Sequence, residues 1–346
     1  MARGSGLFQE KEEKKNPWKG LARDVLIAGA IVAIVLASLY AYAGVWPPLV
    51  VVESSSMQHS GTESSLGVID TGDMVFQQAA PTTDSIITYV RGRAADYSTY
   101  GDFGDVIIFR HDGSSTPVIH RAIMYVTLHV VVENGTTRQT ADVPEITSLS
   151  NSSWNAWNRT GNSETPTRNP MSLISLEILN MGIRRNINLR FNFTYLPKED
   201  GRSGYVTMGD NNLRIRCQVK PADCSEGYDT GWLPRIQDVQ GRARGELPWL
   251  GLLKLTLQPT SSCCDRWGDS EAPKNSWDDL LLTLIGLAAL PFALEYAGRG
   301  WTKFVSPHMP KINWPWKKRT IPVRDPTDAE GNPGTWDEPL DDDEVL

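Results

Sequence analysis

An uncharged apolar run near the start of the chain limits what the protein can fold into more than any other feature. It extends from Val25 to Trp46, and valine, leucine, isoleucine and alanine make up most of it. A helix needs roughly 20 apolar residues to cross a bilayer, so this run is long enough. Trp46 lies at the expected interface depth, and Pro47 and Pro48 then break the helix. The sequence therefore predicts a transmembrane anchor over 25–46.

A cleavable secretion signal is the alternative interpretation of this run, because Ala41-Tyr42-Ala43 resembles a small-residue cleavage site. The polar leader before Val25 is long, however, and the run exceeds the roughly 7–15 apolar residues of a signal core. Basic residues before the helix favour a cytoplasmic location for residues 1–24. These are Lys11, Lys14, Lys15, Lys19 and Arg23.

A second apolar run extends from Leu280 to Gly298, although Pro291 interrupts it and Glu295 lies near its end. An amphipathic or buried helix would give a similar pattern, but the length favours a second membrane span. Basic residues follow closely and predict that residues 299–346 are cytoplasmic. They are Lys311, Lys317, Lys318 and Arg319. Residues 47–279 would then lie outside the cytoplasm.

Two further patterns are typical of an exported region. Four glycosylation sequons begin at Asn134, Asn151, Asn158 and Asn192, and all four cysteines lie in the same part of the chain, at Cys217, Cys224, Cys263 and Cys264. The cysteines favour disulfides, with three possible pairings. A Cys₄ zinc site is the alternative, but paired C-x₂₋₄-C spacings are missing.

The sequence of the exported region predicts mainly β structure. Short β-branched or aromatic runs are separated by turn residues at Leu49–Val52, Met74–Gln77, Val106–Arg110, Ala122–Val132, Asn186–Leu196, Tyr205–Met208 and Leu252–Leu257. This pattern predicts antiparallel sheets in a barrel or sandwich. Residues 135–183 and 213–226 interrupt it and are interpreted as surface insertions.

The formal net charge is −7, which argues against a nucleic-acid-binding protein because such a protein needs a basic face. The negative charge is concentrated in the last stretch, from Asp325 to Leu346. That stretch has few apolar residues, so it is interpreted as a solvated acidic tail.

Three polar positions at predicted strand ends could carry chemistry. Ser56 follows the first strand, His120 follows an apolar triplet, and Asp210 lies in Gly209-Asp210-Asn211-Asn212 after another strand. Each alone has an ordinary interpretation as a loop, a structural histidine or a turn. Together they supply a hydroxyl, a base that can activate it, and a carboxylate that can orient the base.

The same residues lie within motifs that resemble those of the type I signal peptidases, in particular the archaeal and endoplasmic-reticulum branch. The motifs match, in order, Ser56-Met57, Gly72-Asp73-Met74-Val75, Gly104 to Phe109, Ile119-His120-Arg121, Gly209 to Asn212 and Pro248-Trp249-Leu250-Gly251. The bacterial branch has lysine where this chain has His120, so the resemblance implies Ser–His chemistry.

The chain departs from the family pattern at two places. His59 stands where the family usually has proline, two residues after the Ser-Met pair. The second aspartate that normally follows the Gly-Asp-Asn-Asn motif is displaced, and its best match is Asp229, with Asp223 a poorer one. The resemblance therefore leaves both Asp210 and Asp229 as candidates to orient His120.

The resemblance implies a membrane-bound serine endopeptidase that removes signal peptides at the outer face of the cell membrane. Ser56 would be the nucleophile and His120 the general base, while the Ser56 N–H and the Ser54 hydroxyl would hold the oxyanion. No cofactor or metal is implied. The partners would be membrane lipid and secretory preproteins with small side chains before the cut. No nucleic acid is implied, and accessory subunits are not identified.

Two alternatives have the same sequence features. One is a non-catalytic membrane-anchored surface or binding protein on this β scaffold. The other is a related membrane protease with a narrow substrate range. The spatial relation of Ser56 to His120 separates the first alternative from the protease, because only a catalyst requires both side chains in one cleft.

Overall fold

The structure is a computed structural model of the 346-residue chain. It describes residues 17–111, 116–133, 135–161, 163–196, 198–219, 229, 231–258, 263–266, 269–300 and 303. The chain divides into two units at residue 287. The first contains every described sheet and the candidate site.

The first apolar run is helical, as predicted. Helix α1 spans Pro17–Ala43 and therefore ends three residues before Trp46. Gly44 terminates it, with a positive φ of 64° and an N–H that donates to the Tyr40 carbonyl oxygen at 2.8 Å. A glycine in this conformation is a common helix terminator, so the helix ends before the prolines are reached.

A seven-stranded antiparallel sheet forms the centre of the first unit. Its order is β1-β2-β13-β5-β6-β12, with β7 paired to one end of the long strand β6. The strands are β1 (Leu49–Val51), β2 (Met74–Gln78), β5 (Val106–Phe109), β6 (Val118–Glu133), β7 (Thr136–Asp142), β12 (Ser203–Met208) and β13 (Val239–Leu247). The prediction of antiparallel β structure is confirmed. The sheet does not close into a barrel within the described residues.

A second antiparallel sheet lies between β7 and β12 in the sequence. Its order is β11-β10-β8-β9, formed by β8 (Trp154–Thr160), β9 (Ser163–Thr167), β10 (Ser175–Met181) and β11 (Ile187–Asn192). The predicted insertion 135–183 thus holds regular strands, and their sheet continues past residue 183. Buried Trp154 and Phe191 belong to the same apolar cluster as Val126 of β6. The second sheet therefore shares the core of the first.

Two small hairpins complete the strands: β3 (Ser98–Thr99) with β4 (Asp102–Phe103), and β14 (Cys263–Arg266) with β15 (Asp269–Ser270). The remaining helices are α2 (Tyr89–Ala95), α3 (Asp210–Val219), α4 (Gly251–Leu257) and α5 (Asn275–Gly300). Helix α5 contains the second predicted span with Pro291 inside it. Both α1 and α5 are long and apolar enough to cross a membrane.

One prediction of local structure was wrong. Leu252–Leu257 is helical rather than extended, because its buried residues Leu252 and Leu255 are spaced three apart, as on one helix face. Asp210 begins helix α3, so Gly209 is the junction between β12 and that helix. Residues 213–219 of the second predicted insertion continue that helix, while residues 220–228 lie outside the described part.

The structure describes some of the sequons and cysteines on which the prediction of export was based. Asn151 is exposed on a short 3₁₀ turn, whereas Asn158 and Asn192 are half-buried and Asn134 lies outside the described residues. Cys217 is disulfide-bonded. Cys224 lies outside the described residues, as do the side chains of Cys263 and Cys264.

Candidate active site

Ser56 lies on a three-residue 3₁₀ turn, Ser55–Met57, shortly after β1. Met57 is buried in the apolar cluster beneath the sheet. The Asn211 side-chain amide donates to the Ser55 carbonyl oxygen at 2.8 Å. Beyond the turn, the Gln58 side chain accepts a hydrogen bond from the Thr71 hydroxyl at 2.5 Å. The turn is therefore fixed by contacts on both of its sides.

His120 is a buried residue of β6, paired in register with Ile107 of β5. Its ring packs edge-on against Phe109, with 6.4 Å between the ring centroids. Burial lowers the pKa of His120 below its usual 6.5, although the charges of Asp229 and Asp210 act in the opposite direction. The imidazole is thus held neutral near pH 7, which is the form that can accept a proton.

Strand register brings the end of β12 to the same place. Met208, the last residue of β12, pairs with Arg121, so the chain leaves the strand at Gly209 beside the neighbouring His120. The register shifts near Ile123, where β6 contains one more residue than β12. This shift decides which β6 residues lie opposite the strand end.

Asp229 is the carboxylate nearest the His120 ring in the described site, with 3.9 Å between His120 Nε2 and Asp229 Oδ2. The Gly209 N–H donates to the same oxygen at 2.7 Å, and the Asn212 amide donates to it at 2.9 Å. Arg216 lies 3.5 Å from the other carboxylate oxygen. These donors fix the position of the Asp229 carboxylate beside the imidazole.

Asp210 has a different set of partners. It forms a bidentate ion pair with buried Arg121, at 2.8 Å to Nε and 2.6 Å to an amino nitrogen, and His59 Nε2 lies 3.4 Å from it. Burial opposes ionisation of Asp210, but the Arg121 charge outweighs burial and lowers the pKa to about 2. The Asp210 carboxylate is therefore already paired with Arg121, and Asp229 has the better geometry for orienting His120.

Arg121 also organises the chain segment that contains β3 and β4. Its guanidinium donates to a series of backbone carbonyl oxygens in that segment, namely those of Thr99, Tyr100, Asp102, Phe103 and Gly104. Because Arg121 directly follows His120, these hydrogen bonds also fix the strand that carries the candidate base.

Three candidate catalytic residues, Ser56, His120 and Asp229, line one cavity of about 880 Å³. Ser54 lines it too, and 3.4 Å separates its hydroxyl oxygen from that of Ser56. His120 Nδ1, the ring nitrogen that does not face Asp229, is buried without a hydrogen-bond partner among the described residues.

The cavity walls are formed by β1 on one side and the first residues of β6 on another. Within the described sheet β1 pairs only with β2, so its other edge is an open backbone edge. An ion pair lies on the wall as well, with 2.9 Å between Lys254 Nζ and Glu53 Oε1. The site therefore has an apolar, strand-lined groove next to a polar centre.

Sequence reasoning did not identify the roles of Arg121, Asn212 or Gly209, although all three lie in the motifs that carried the resemblance. Asn212 orients Asp229, and Arg121 neutralises Asp210. A glycine is required at 209, because a Cβ there would lie 2.5 Å from the Ser56 carbonyl oxygen. The motifs contained these residues, but their partners are set by tertiary contacts.

His59, His111 and His129 have partners other than the candidate catalytic residues Ser56 and Asp229. His59 contacts Asp210, as described above. His111 packs on Trp232 with 4.7 Å between ring centroids, and His129 Nε2 lies 2.9 Å from an Asp142 oxygen.

Comparison with known proteins gives no family for this chain: no protein-family model matches it, and a search of the curated proteins finds no match.

Proposed function

We propose that this protein is a membrane-tethered serine endopeptidase of the signal peptidase type. The observation that carries the proposal is the cavity into which Ser56, His120 and Asp229 all open. A serine alcohol is a weak nucleophile and requires a neighbouring base, which in turn requires an acceptor that orients it. The cavity supplies these three groups in one place.

In the proposed reaction Ser56 Oγ attacks the scissile carbonyl carbon while His120 takes the hydroxyl proton. The tetrahedral intermediate collapses to an ester on Ser56, and His120 returns the proton to the leaving amine. A water molecule then hydrolyses the ester with His120 again acting as base. Asp229 stabilises the transient imidazolium, and the observed 3.9 Å separation suits a site that tightens when substrate binds.

The oxyanion would be held by the Ser56 N–H and the Ser54 hydroxyl. The proximity of the two serine hydroxyls, 3.4 Å apart, supports this role for Ser54. Such donors stabilise the charge that develops in the transition state, and the loss of one typically reduces turnover by about 10²–10³.

The open edge of β1 supports binding of the substrate as an extended strand. Leu49 and Val51 from β1 and Val118 from β6 provide apolar walls on the groove. Walls of this kind select by size, at roughly 1–3 kcal/mol per methylene, and would favour small side chains before the cut. Secretory preproteins with signal peptides are the proposed substrates.

Two apolar helices support a membrane location. In the proposed topology α1 and α5 both cross the cell membrane, the termini lie in the cytoplasm, and the cavity lies on the outer face. Ser56 follows α1 by only 13 positions, which places the nucleophile near the membrane surface. Tethering there raises the effective concentration of a substrate whose signal peptide is in the same bilayer.

The test is cleavage of a secretory preprotein by the full-length protein in lipid vesicles. Wild type should release the mature protein, and Ser56→Ala should abolish release. Ser65→Ala, which changes an exposed serine in the following loop, is the matched control and should keep wild-type activity. Equal cleavage by wild type and Ser56→Ala, or none by either across several preproteins, would favour the non-catalytic binding protein.

A further inference from the structure

The turn that carries Ser56 is held by a segment more than 200 residues away in the sequence. The Glu271 carboxylate oxygen Oε2 accepts two hydrogen bonds from Ser55, one from its hydroxyl at 2.8 Å and one from its N–H at 3.3 Å. Ser55 directly precedes Ser56 and begins the 3₁₀ turn. Glu271 therefore fixes the residue directly before the proposed nucleophile.

The same segment also holds the chain beyond the turn. The Asn275 side-chain oxygen accepts from the Ser64 N–H at 2.7 Å, and its amide nitrogen donates to the Ser64 carbonyl oxygen at 3.1 Å. The Asn275 N–H donates to the Thr62 carbonyl oxygen at 3.4 Å. Residues 271 and 275 thus contact both ends of the loop 55–64, and we call residues 271–275 the clamp segment.

The clamp segment is itself anchored in the protein. Ala272 is buried, as are Trp277 and Leu280 in the first turns of α5, and all three pack with Leu252 and Leu255 of α4. A segment fixed in this way can hold the loop in one position, because its own movement would expose apolar surface.

From this geometry we propose that Glu271 is a positioning residue for the Ser56 nucleophile, a role that rests on the proposed protease function. Both of its hydrogen bonds fix Ser55, and the short turn passes this restraint to the Ser56 side chain. Without Glu271, the Ser55 hydroxyl and N–H lose their acceptor, and Ser55 keeps only the hydrogen bond from Asn211 to its carbonyl oxygen among the described contacts of its polar groups with other segments, so the start of the turn can shift. A displacement of about 1 Å at a reacting atom can reduce turnover by about 100-fold.

The experiment compares kcat and KM of full-length variants in lipid vesicles on one preprotein substrate. Glu271→Ala should lower kcat by about 10–100-fold, with KM within about twofold of wild type and an unchanged thermal unfolding midpoint. Glu271→Gln should recover most of the activity, because one amide oxygen can accept both bonds that Oε2 accepts. Asp278→Ala removes an exposed carboxylate from the first turns of α5 and is the matched control.

A double-mutant cycle with Ser55→Ala tests whether Glu271 acts through Ser55. We expect Glu271→Ala/Ser55→Ala to lose no more activity than Glu271→Ala alone. A wild-type kcat in Glu271→Ala would overturn the positioning role. Losses of activity that multiply in the double variant would also overturn it. A fall in kcat that is fully explained by the unfolded fraction of the variant would do the same. Activity in wild type with loss in Ser56→Ala keeps the protease proposal intact in each of those cases.

Discussion

At the residue scale, two aspartates near His120 differ because their neighbours differ. Asp210 is neutralised by a bidentate contact with buried Arg121, whereas Asp229 accepts from Gly209 and Asn212 and faces His120. The first arrangement stabilises the fold, and the second can stabilise an imidazolium. Removing either charge should therefore have a different consequence.

Asp229→Asn should lower kcat by about 10²–10⁴ with little loss of stability, because the imidazolium loses its stabilising charge. Asp210→Asn should instead lower the free energy of unfolding by about 3–5 kcal/mol, since it leaves the buried Arg121 charge uncompensated. Kinetics on the folded protein and urea unfolding separate the two effects. If Asp210→Asn instead lowered kcat while Asp229→Asn lowered stability, the orienting role would belong to Asp210.

The buried His120 also fixes the pH dependence of activity. In the proposed mechanism the neutral imidazole is the base, and burial lowers its pKa below 6.5. The acidic limb of the kcat/KM profile should therefore have its midpoint below pH 6.5, with activity rising as pH increases through it. A midpoint at or above 6.5 would contradict the neutral buried base.

The same shift predicts how stability changes with pH. The folded state binds a proton at His120 less readily than the unfolded state does. This contribution to stability is therefore complete above pH 6.5 and is lost as pH falls from there through the folded-state pKa. His120→Gln should weaken that dependence in thermal unfolding measured across this range.

At the element scale, the junction between β12 and α3 positions the residues of the candidate site. The strand ends beside His120, and Gly209 then passes so close to the Ser56 turn that no side chain fits between them. The Gly209 N–H simultaneously donates to Asp229. One glycine thus brings the candidate nucleophile and acid together.

Gly209→Ala should displace the Ser56 turn, because the new Cβ would lie 2.5 Å from the Ser56 carbonyl oxygen. We expect kcat to fall by about 10–100-fold and the free energy of unfolding to fall by about 1–3 kcal/mol. Gly61→Ala, at an exposed site with open space around it, is the control for the same substitution. Full activity in Gly209→Ala would show that the close approach has no role in positioning Ser56.

Several strands could be predicted because alternation and β-branched residues directly report a half-buried extended chain. Met74–Gln77 and Tyr205–Met208 fall within observed strands. β13 was missed because its sequence, Val239–Leu247, is rich in arginine and glycine. Its arginines are held by partners such as Asp105, which lies far away in the sequence.

The candidate site could be predicted only where chemistry lies in local motifs. Ser56 and His120 stand in such motifs, and the sequence alone left Asp210 and Asp229 as alternatives. The choice depends on the β6–β12 register, including the shift near Ile123, which no local pattern encodes. The Ser55–Glu271 contact joins residues 216 positions apart and is set by the packing of the clamp segment.

At the scale of the whole molecule, the proposed topology places the sheets outside the cytoplasm and the tail within it. A cysteine introduced at exposed Glu164 should react with a membrane-impermeant maleimide added to intact cells, and one introduced at Glu330 should react only after lysis. Reaction at both positions in intact cells, or at neither, would contradict two spans with cytoplasmic termini.

The central claim is that Ser56, His120 and Asp229 act as one catalytic unit. The most direct test compares preprotein cleavage rates for Ser56→Ala, His120→Ala and the triple variant Ser56→Ala/His120→Ala/Asp229→Ala. Because the loss of one member of a catalytic unit disables the others, we expect the triple variant to be no slower than Ser56→Ala alone. Losses that multiply across the three substitutions, or activity that survives Ser56→Ala, would contradict it.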